Sequence, residues 1–130
     1  MDADAPTKLI YRDEVYAIQG AIFDVYKKMG VGFLEGVYQE CLRIEFGRRS
    51  IPFHAQRPLA IAYDGEPLQH GYIADFVCFE RVLLELKAAR AIAPEHRAQI
   101  INYLRATGIK LGLLVNFGAS PKVEIERFAL

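Results

Sequence analysis

A short apolar segment that contains two charged residues constrains this chain more than any other feature. Residues Val82–Lys87 read Val-Leu-Leu-Glu-Leu-Lys, a composition typical of a strand in the middle of a sheet. Glu85 and Lys87 are two positions apart, so both side chains project from the same face of that strand. A charge inside an apolar strand is costly unless it is paired or bound to a metal ion. The segment therefore predicts a buried sheet that carries a polar site.

The preceding segment brings a third charged residue towards the same place. Asp75 lies in a second strand-like stretch, Leu68 to Phe79. If the connection is a three-residue loop, Phe79 to Arg81, then Asp75 lies opposite Glu85, and paired residues project to the same side. A two-residue turn would place Asp75 on the other face. The functional interpretation therefore requires the three-residue loop or a bulge.

Asp75 and Glu85 at cross-strand distance would repel each other unless a cation lies between them. Mg²⁺ (or Mn²⁺) is the natural candidate, because it binds a few carboxylates and keeps several waters. Lys87 beside such an ion could orient or deprotonate a water molecule, or stabilise charge on a phosphate. The set predicts metal-assisted hydrolysis of a phosphodiester. The alternative is a buried ion-pair set without chemistry, since cross-strand ion pairs are ordinary.

Two helical segments carry further candidates. Gln99 and Tyr103 are four positions apart and share one face of a helix predicted from Pro94 to Thr107. The polar edge of an amphipathic helix would give the same pattern. Glu35 falls in the first turn of a helix predicted from Leu34 to Arg48. Its alternative role is to complement the helix dipole or cap the helix.

The remaining periodicity predicts a mixed α/β (α+β) fold, with a central mixed sheet flanked by helices in the order α-α-β-β-β-β-α-β-β. Prolines at 52 and 58 indicate an edge or bent strand, and Asp64-Gly65 indicates a hairpin turn. We expect a single domain over residues 13–130 and a partly disordered N-terminal extension over residues 1–12. The other predicted elements are a helix from Asp13 to Met29 and strands Ile51 to Tyr63, Leu111 to Phe117 and Val123 to Phe128.

Composition limits the function classes. The formal net charge is zero, so any contact with nucleic acid must come from a local patch rather than a global positive field. Candidate phosphate contacts are arginines 43, 48, 49, 57, 90, 97 and 105. Cys41 and Cys78 do not form a zinc-binding pattern. No signal peptide and no membrane-length apolar run is visible, which predicts a cytoplasmic protein without a membrane partner.

Gly32, Glu35 and Tyr38 match the pattern that names the GxxExxY protein family, a branch of the PD-(D/E)XK nuclease-like superfamily. The resemblance extends from about Asp13 to Leu130. The sequence departs from the superfamily pattern before Asp75, where Ala74 stands in place of the proline of the superfamily name. The other matching stretches are Ala74-Asp75-Phe76, Glu85-Leu86-Lys87-Ala88, Gln99-Ile100-Ile101-Asn102-Tyr103-Leu104 and Gly112-Leu113-Leu114-Val115-Asn116-Phe117-Gly118.

The resemblance implies a restriction-endonuclease-like sheet and assigns roles to this chain's residues. Asp75 and Glu85 would bind Mg²⁺ or Mn²⁺, with Glu35 as a further ligand or a water-positioning group. Lys87 would position the attacking water, and Gln99 and Tyr103 would orient the substrate. The predicted function is a metal-dependent nuclease acting on nucleic acid, DNA ahead of RNA, with a homodimer or a partner protein as a possibility. The alternative is a non-catalytic module that binds nucleic acid or protein and retains the nuclease fold.

Overall fold

A computed structural model describes residues 10–130 of the chain, so the expected N-terminal extension lies mostly outside the described residues. Three helices are present in this part: α1 (Arg12–Met29), α2 (Glu35–Arg48) and α3 (Pro94–Thr107). Their bounds agree with the predicted ones to within a residue. Gly108 ends α3 with a positive φ of 75°, the conformation that glycine adopts most easily after a helix. No helix of residues 10–130 is long and apolar enough to cross a membrane.

The centre of the fold is a mixed sheet, as predicted. It has five strands in the spatial order β1-β4-β5-β6-β7. β5 and β6 are parallel, and the other neighbours are antiparallel. The strand that contains Glu85 and Lys87 is therefore the middle one. The strands in chain order are β1 (Phe53–Leu59), β2 (Ala62–Tyr63), β3 (Glu66–Pro67), β4 (Tyr72–Cys78), β5 (Val82–Lys87), β6 (Leu111–Asn116) and β7 (Glu124–Ala129).

The strand count before α3 differs from the prediction, because β2 and β3 form a separate two-stranded hairpin. Its turn is the predicted Asp64-Gly65, with φ of 52° and 82°. The turn pairs the two residues before it with the two residues after it, and all four are exposed. The expected strand from Leu68 consequently begins only at Tyr72, where side chains start to be buried.

Apolar side chains fill both faces of the sheet. One cluster lies between the sheet and α1 and α2, and it includes Ile18, Leu42 and Leu84. The other lies beneath α3, and it includes Leu83 and Leu104. Burial of each such side chain contributes about 1.5–3 kcal/mol. Because both faces of β5 are covered, Glu85 in the interior of this strand is largely removed from bulk water.

Candidate active site

The connection between β4 and β5 is the three-residue loop that the functional interpretation requires. Cys78 pairs with Val82, and the ladder continues through Phe76 and Leu84. Phe79 and Glu80 both have φ of 57°, and the Arg81 amide donates to the Cys78 carbonyl over 3.0 Å. The predicted register is confirmed for these paired residues. Asp75 and Glu85 come next in the count, where the regular pairing ends, and the Asp75 backbone nitrogen lies 3.4 Å from Glu85 Oε1.

The regular ladder is interrupted at Asp75 on both sides. Gln56, opposite it in β1, has a φ of 52°, and no pairing joins these two residues although their neighbours on either side are paired. Ala74 belongs to the cluster under α3, whereas Phe76 belongs to the cluster under α1 and α2. Residues two apart in a regular strand share a face, so β4 rotates at Asp75. This rotation opens the sheet at the site.

The Asp75 carboxylate replaces a backbone acceptor at this break. Its Oδ2 accepts a hydrogen bond from the Leu86 backbone amide over 2.7 Å, and Oδ1 lies 3.4 Å from the side-chain nitrogen Nε2 of Gln56. Burial raises the pKa of Asp75, while these two hydrogen bonds and the charge of Lys87 oppose the rise. The site therefore holds a carboxylate whose negative charge is incompletely compensated.

Glu85 is the more deeply buried acid, with 8% of its surface exposed. Its Oε1 accepts a hydrogen bond from the Tyr72 hydroxyl and lies 3.4 Å from the Asp75 amide nitrogen. Burial raises the pKa of Glu85 to about 7; the Asp75 amide and the charge of Lys87 lower it, and repulsion by Glu35 raises it further. The charge of Lys87 therefore acts on both acids, and the charge of Glu35 acts on Glu85.

Lys87 supplies the positive charge that acts on both acids. It is half-buried at the end of β5 and lowers the pKa of Asp75 and of Glu85 through its charge. Within residues 10–130 its ammonium group is in no ion pair closer than 4.0 Å. Its backbone carbonyl accepts a hydrogen bond from the Phe117 amide over 2.8 Å, and this bond fixes the end of β5.

The start of α2 covers the opening in the sheet. A cavity of about 220 Å³ lies there, lined by Glu35, Gly36, Gln39, Gln56, Asp75 and Leu86. Glu35 is exposed, and Glu85 and Lys87 are not among the lining residues. The side-chain nitrogen Nε2 of Gln39 donates to the backbone carbonyl of Asp75 over 3.0 Å. The side-chain oxygen Oε1 of Gln39 is buried without a hydrogen-bond partner in the described part of the chain.

The helix after β5 contacts the site through aromatic rings. Tyr103 stacks on Tyr72 with a centroid distance of 3.4 Å and an angle of 16° between the planes. Burial and repulsion by Glu85 raise the pKa of Tyr103, and a hydrogen bond with Gln99 opposes the rise. Gln99 itself is exposed. At the start of α3, the ring nitrogen Nδ1 of His96 accepts a hydrogen bond from the Ala93 backbone amide over 3.1 Å, and this bond caps the helix.

Sequence reasoning missed three polar residues of this region: Gln39, Gln56 and Tyr72. Gln39 follows Glu35 by one helical turn, so a search for polar residues on the same helix face would have found it. Nothing local distinguishes Gln56, whose positive φ is a property of the folded sheet. Tyr72 has the residue type expected in any strand.

The donor set fits a hydrated divalent cation. Residues 10–130 contain no group of three or more His, Cys, Asp or Glu side chains arranged to hold a metal ion. Asp75 and Glu85 are nevertheless two acids of neighbouring strands with raised pKa, and the Gln39 oxygen, which has no partner in residues 10–130, needs a donor or a cation. Mg²⁺ accepts a small number of protein oxygens and completes its octahedron with waters, which is what this arrangement provides.

Some of the arginines proposed as phosphate contacts are engaged elsewhere. Arg49 pairs with Asp24 and Glu45. Arg57 pairs with Glu80 at 2.6 Å, and Arg97 pairs with Glu126 at 2.7 Å. These three are poor candidates for phosphate binding because their charge is already compensated.

Comparisons with known proteins agree with this architecture. The profile of the PD-(D/E)XK nuclease superfamily matches residues 12–128. A solved protein titled SSO0001 has a similar fold, with a TM-score of 0.54 and 16% sequence identity over 97% of this chain. The chain spans 58% of the length of that protein. No curated protein matches the sequence. The profile covers nearly the whole chain, so this protein belongs to the PD-(D/E)XK nuclease superfamily.

Proposed function

We propose that this protein is a divalent-metal-dependent nuclease that hydrolyses phosphodiester bonds in nucleic acid, DNA ahead of RNA. The observation that carries the proposal is the pair Asp75 and Glu85. Glu85 is buried and Asp75 is half-buried. Burial raises the pKa of both, and Lys87 is the one cation of residues 10–130 that opposes the rise in both. Membership of a nuclease superfamily supports the same reaction.

Asp75 and Glu85 would hold the cation, and Glu35 would act as a further ligand or as a group that positions water. Glu35 lines the same cavity as Asp75, and the unpartnered Gln39 oxygen can accept a hydrogen bond from a water molecule there. When bound, a divalent cation supplies positive charge that polarises both water and phosphate. The chain's own oxygens fix where that charge is placed.

Lys87 would orient the attacking water and stabilise negative charge on the phosphate. Its ammonium group is half-buried and outside ion-pair distance of the acids in the described chain, so its hydrogens are available to water or substrate. Gln99 is exposed on the adjacent helix and would orient the substrate together with Tyr103, which stacks on Tyr72.

A second candidate is a binding module without turnover, and one feature of the structure favours it. Both carboxylates already have protein donors, because the Leu86 amide binds Asp75 and the Tyr72 hydroxyl binds Glu85. A network with satisfied hydrogen bonds can be stable without a metal ion. In that case the chain would bind nucleic acid or protein equally well in the presence of a chelator.

The test is a cleavage assay on single- and double-stranded DNA and RNA, with Mg²⁺, with Mn²⁺ and with EDTA. Lys87→Ala is compared with Lys28→Ala, which removes an exposed lysine of α1. We expect metal-dependent cleavage that Lys28→Ala retains and Lys87→Ala loses by a factor of about 10²–10³, the usual cost of removing one group that stabilises developing negative charge. Binding without cleavage under every metal condition would favour the module instead.

A further inference from the structure

We propose that Tyr72 is a positioning residue of this site, whose hydroxyl fixes the Glu85 carboxylate so that its other oxygen remains available for a divalent cation. The inference rests on the proposed function, since it assigns Glu85 to a cation. It adds a residue that the charged motifs do not contain.

The contact joins the beginning of β4 to the middle strand. Tyr72 and Glu85 are each 8% exposed, and the phenol donates to Oε1. The Asp75 amide approaches the same oxygen at 3.4 Å. No donor in residues 10–130 binds Oε2. Two donors on one oxygen therefore fix the orientation of the carboxylate and leave Oε2 without a partner among residues 10–130.

The Tyr72 ring is itself held in place. It stacks on Tyr103 with a centroid distance of 3.4 Å, and both rings pack with the apolar cluster beneath α3. A stacked and buried ring has little freedom to rotate, so its hydroxyl remains directed at Glu85. By this arrangement Tyr103 acts on Glu85 through Tyr72, which gives the helix residue a role that requires no contact with substrate.

Such an outer hydrogen bond has a measurable effect. Carboxylates that bind metals are held by hydrogen-bonding neighbours, and removal of one neighbour typically costs 10–100-fold in metal affinity or activity. Tyr72→Phe keeps the ring, the stack and the buried volume and removes only the hydroxyl. A purely structural phenol would change stability without changing the affinity for the metal.

The experiment measures Mn²⁺ affinity by titration calorimetry for the wild type, Tyr72→Phe and Tyr26→Phe. Tyr26→Phe is the matched control, because its hydroxyl donates to the Ala119 carbonyl over 2.7 Å outside the site. We expect Mn²⁺ affinity to fall about tenfold or more in Tyr72→Phe and to stay unchanged in the control. Raising the Mn²⁺ concentration should then restore the cleavage rate of Tyr72→Phe, with the KM for nucleic acid unaltered.

The outcomes are distinct. Wild-type affinity for Mn²⁺ in a folded Tyr72→Phe overturns the role of Tyr72 and leaves the proposed nuclease intact. Absence of Mn²⁺ binding by the wild type overturns both. If Tyr72→Phe does not fold, Tyr103→Leu replaces it as the test, because this variant removes the stack and keeps the Tyr72 hydroxyl. Unchanged Mn²⁺ affinity in Tyr103→Leu would then overturn the inference.

Discussion

Replacing Glu85 with glutamine should flatten the dependence of the metal-free protein's stability on pH. Burial raises the pKa of Glu85 from 4.5 to about 7 in the folded protein. The folded state therefore binds more protons than the unfolded state between these two values. The free energy of unfolding consequently falls as the pH rises through this window and becomes constant above it.

The size of the effect follows from the shift. Each unit of pKa corresponds to about 1.4 kcal/mol, so the ionised Glu85 costs the folded state on the order of 3 kcal/mol at neutral pH. Asp75 acts in the same direction, because burial raises its pKa as well. Hydrogen bonds from arginines lower the pKa of Glu80 and Glu126. These two are ionised in both states above about pH 5, so they add no slope there.

Urea unfolding in EDTA at several values from about pH 5 to about pH 8 measures this dependence. The wild type should lose on the order of 3 kcal/mol across the range, and Glu85→Gln should lose much less. Glu66→Gln, an exposed acid in the β2–β3 hairpin, removes the same charge and should behave as the wild type. A wild type whose stability is level or rises across the range, or a Glu85→Gln variant with the wild-type slope, would refute the reasoning.

Three further changes test the site and its support. Excess Mg²⁺, at about a hundredfold over its Kd, should stabilise the wild type by about 2.7 kcal/mol. Thermal melts should show that Asp75→Asn loses most of this gain, with apo stability unchanged or improved because burial of the Asp75 charge, which raises its pKa, costs the folded state. A wild-type melting temperature indifferent to Mg²⁺ would contradict this. Glu35→Gln should weaken Mg²⁺ binding in calorimetry without loss of stability, because Glu35 is exposed; unchanged affinity would leave it a role at the helix start or in positioning water. The buried Asn116 side chain forms hydrogen bonds with the Ala89 backbone amide and carbonyl and with the Gly118 amide at 2.9–3.0 Å. Asn116→Ala leaves these groups without partners, so it should lower the free energy of unfolding in urea by about 3 kcal/mol or more. A loss below about 1 kcal/mol would contradict that role.

The elements of the fold were readable from the sequence because local patterns determine them. Helical periodicity and the Pro94 and Gly108 signals gave α3 its bounds, and an apolar run of strand length identified β5 as central. The hairpin at Asp64-Gly65 was identified in the same way. Its separation from the main sheet was not, because exposure of the hairpin depends on what packs against it.

The sequence by itself determined the three-residue loop and the pairing of β4 with β5, since the length of the loop decides which residues face one another. That pairing is the ground on which we expect Asp75, Glu85 and Lys87 to act together. Only the tertiary structure decided what surrounds them. The rotation of β4 at Asp75, the unpartnered Gln39 oxygen and the Tyr72 hydroxyl on Glu85 depend on contacts between separate elements. Pairing parity is a local rule of the strand, whereas twist, desolvation and stacking arise only when the helices cover the sheet.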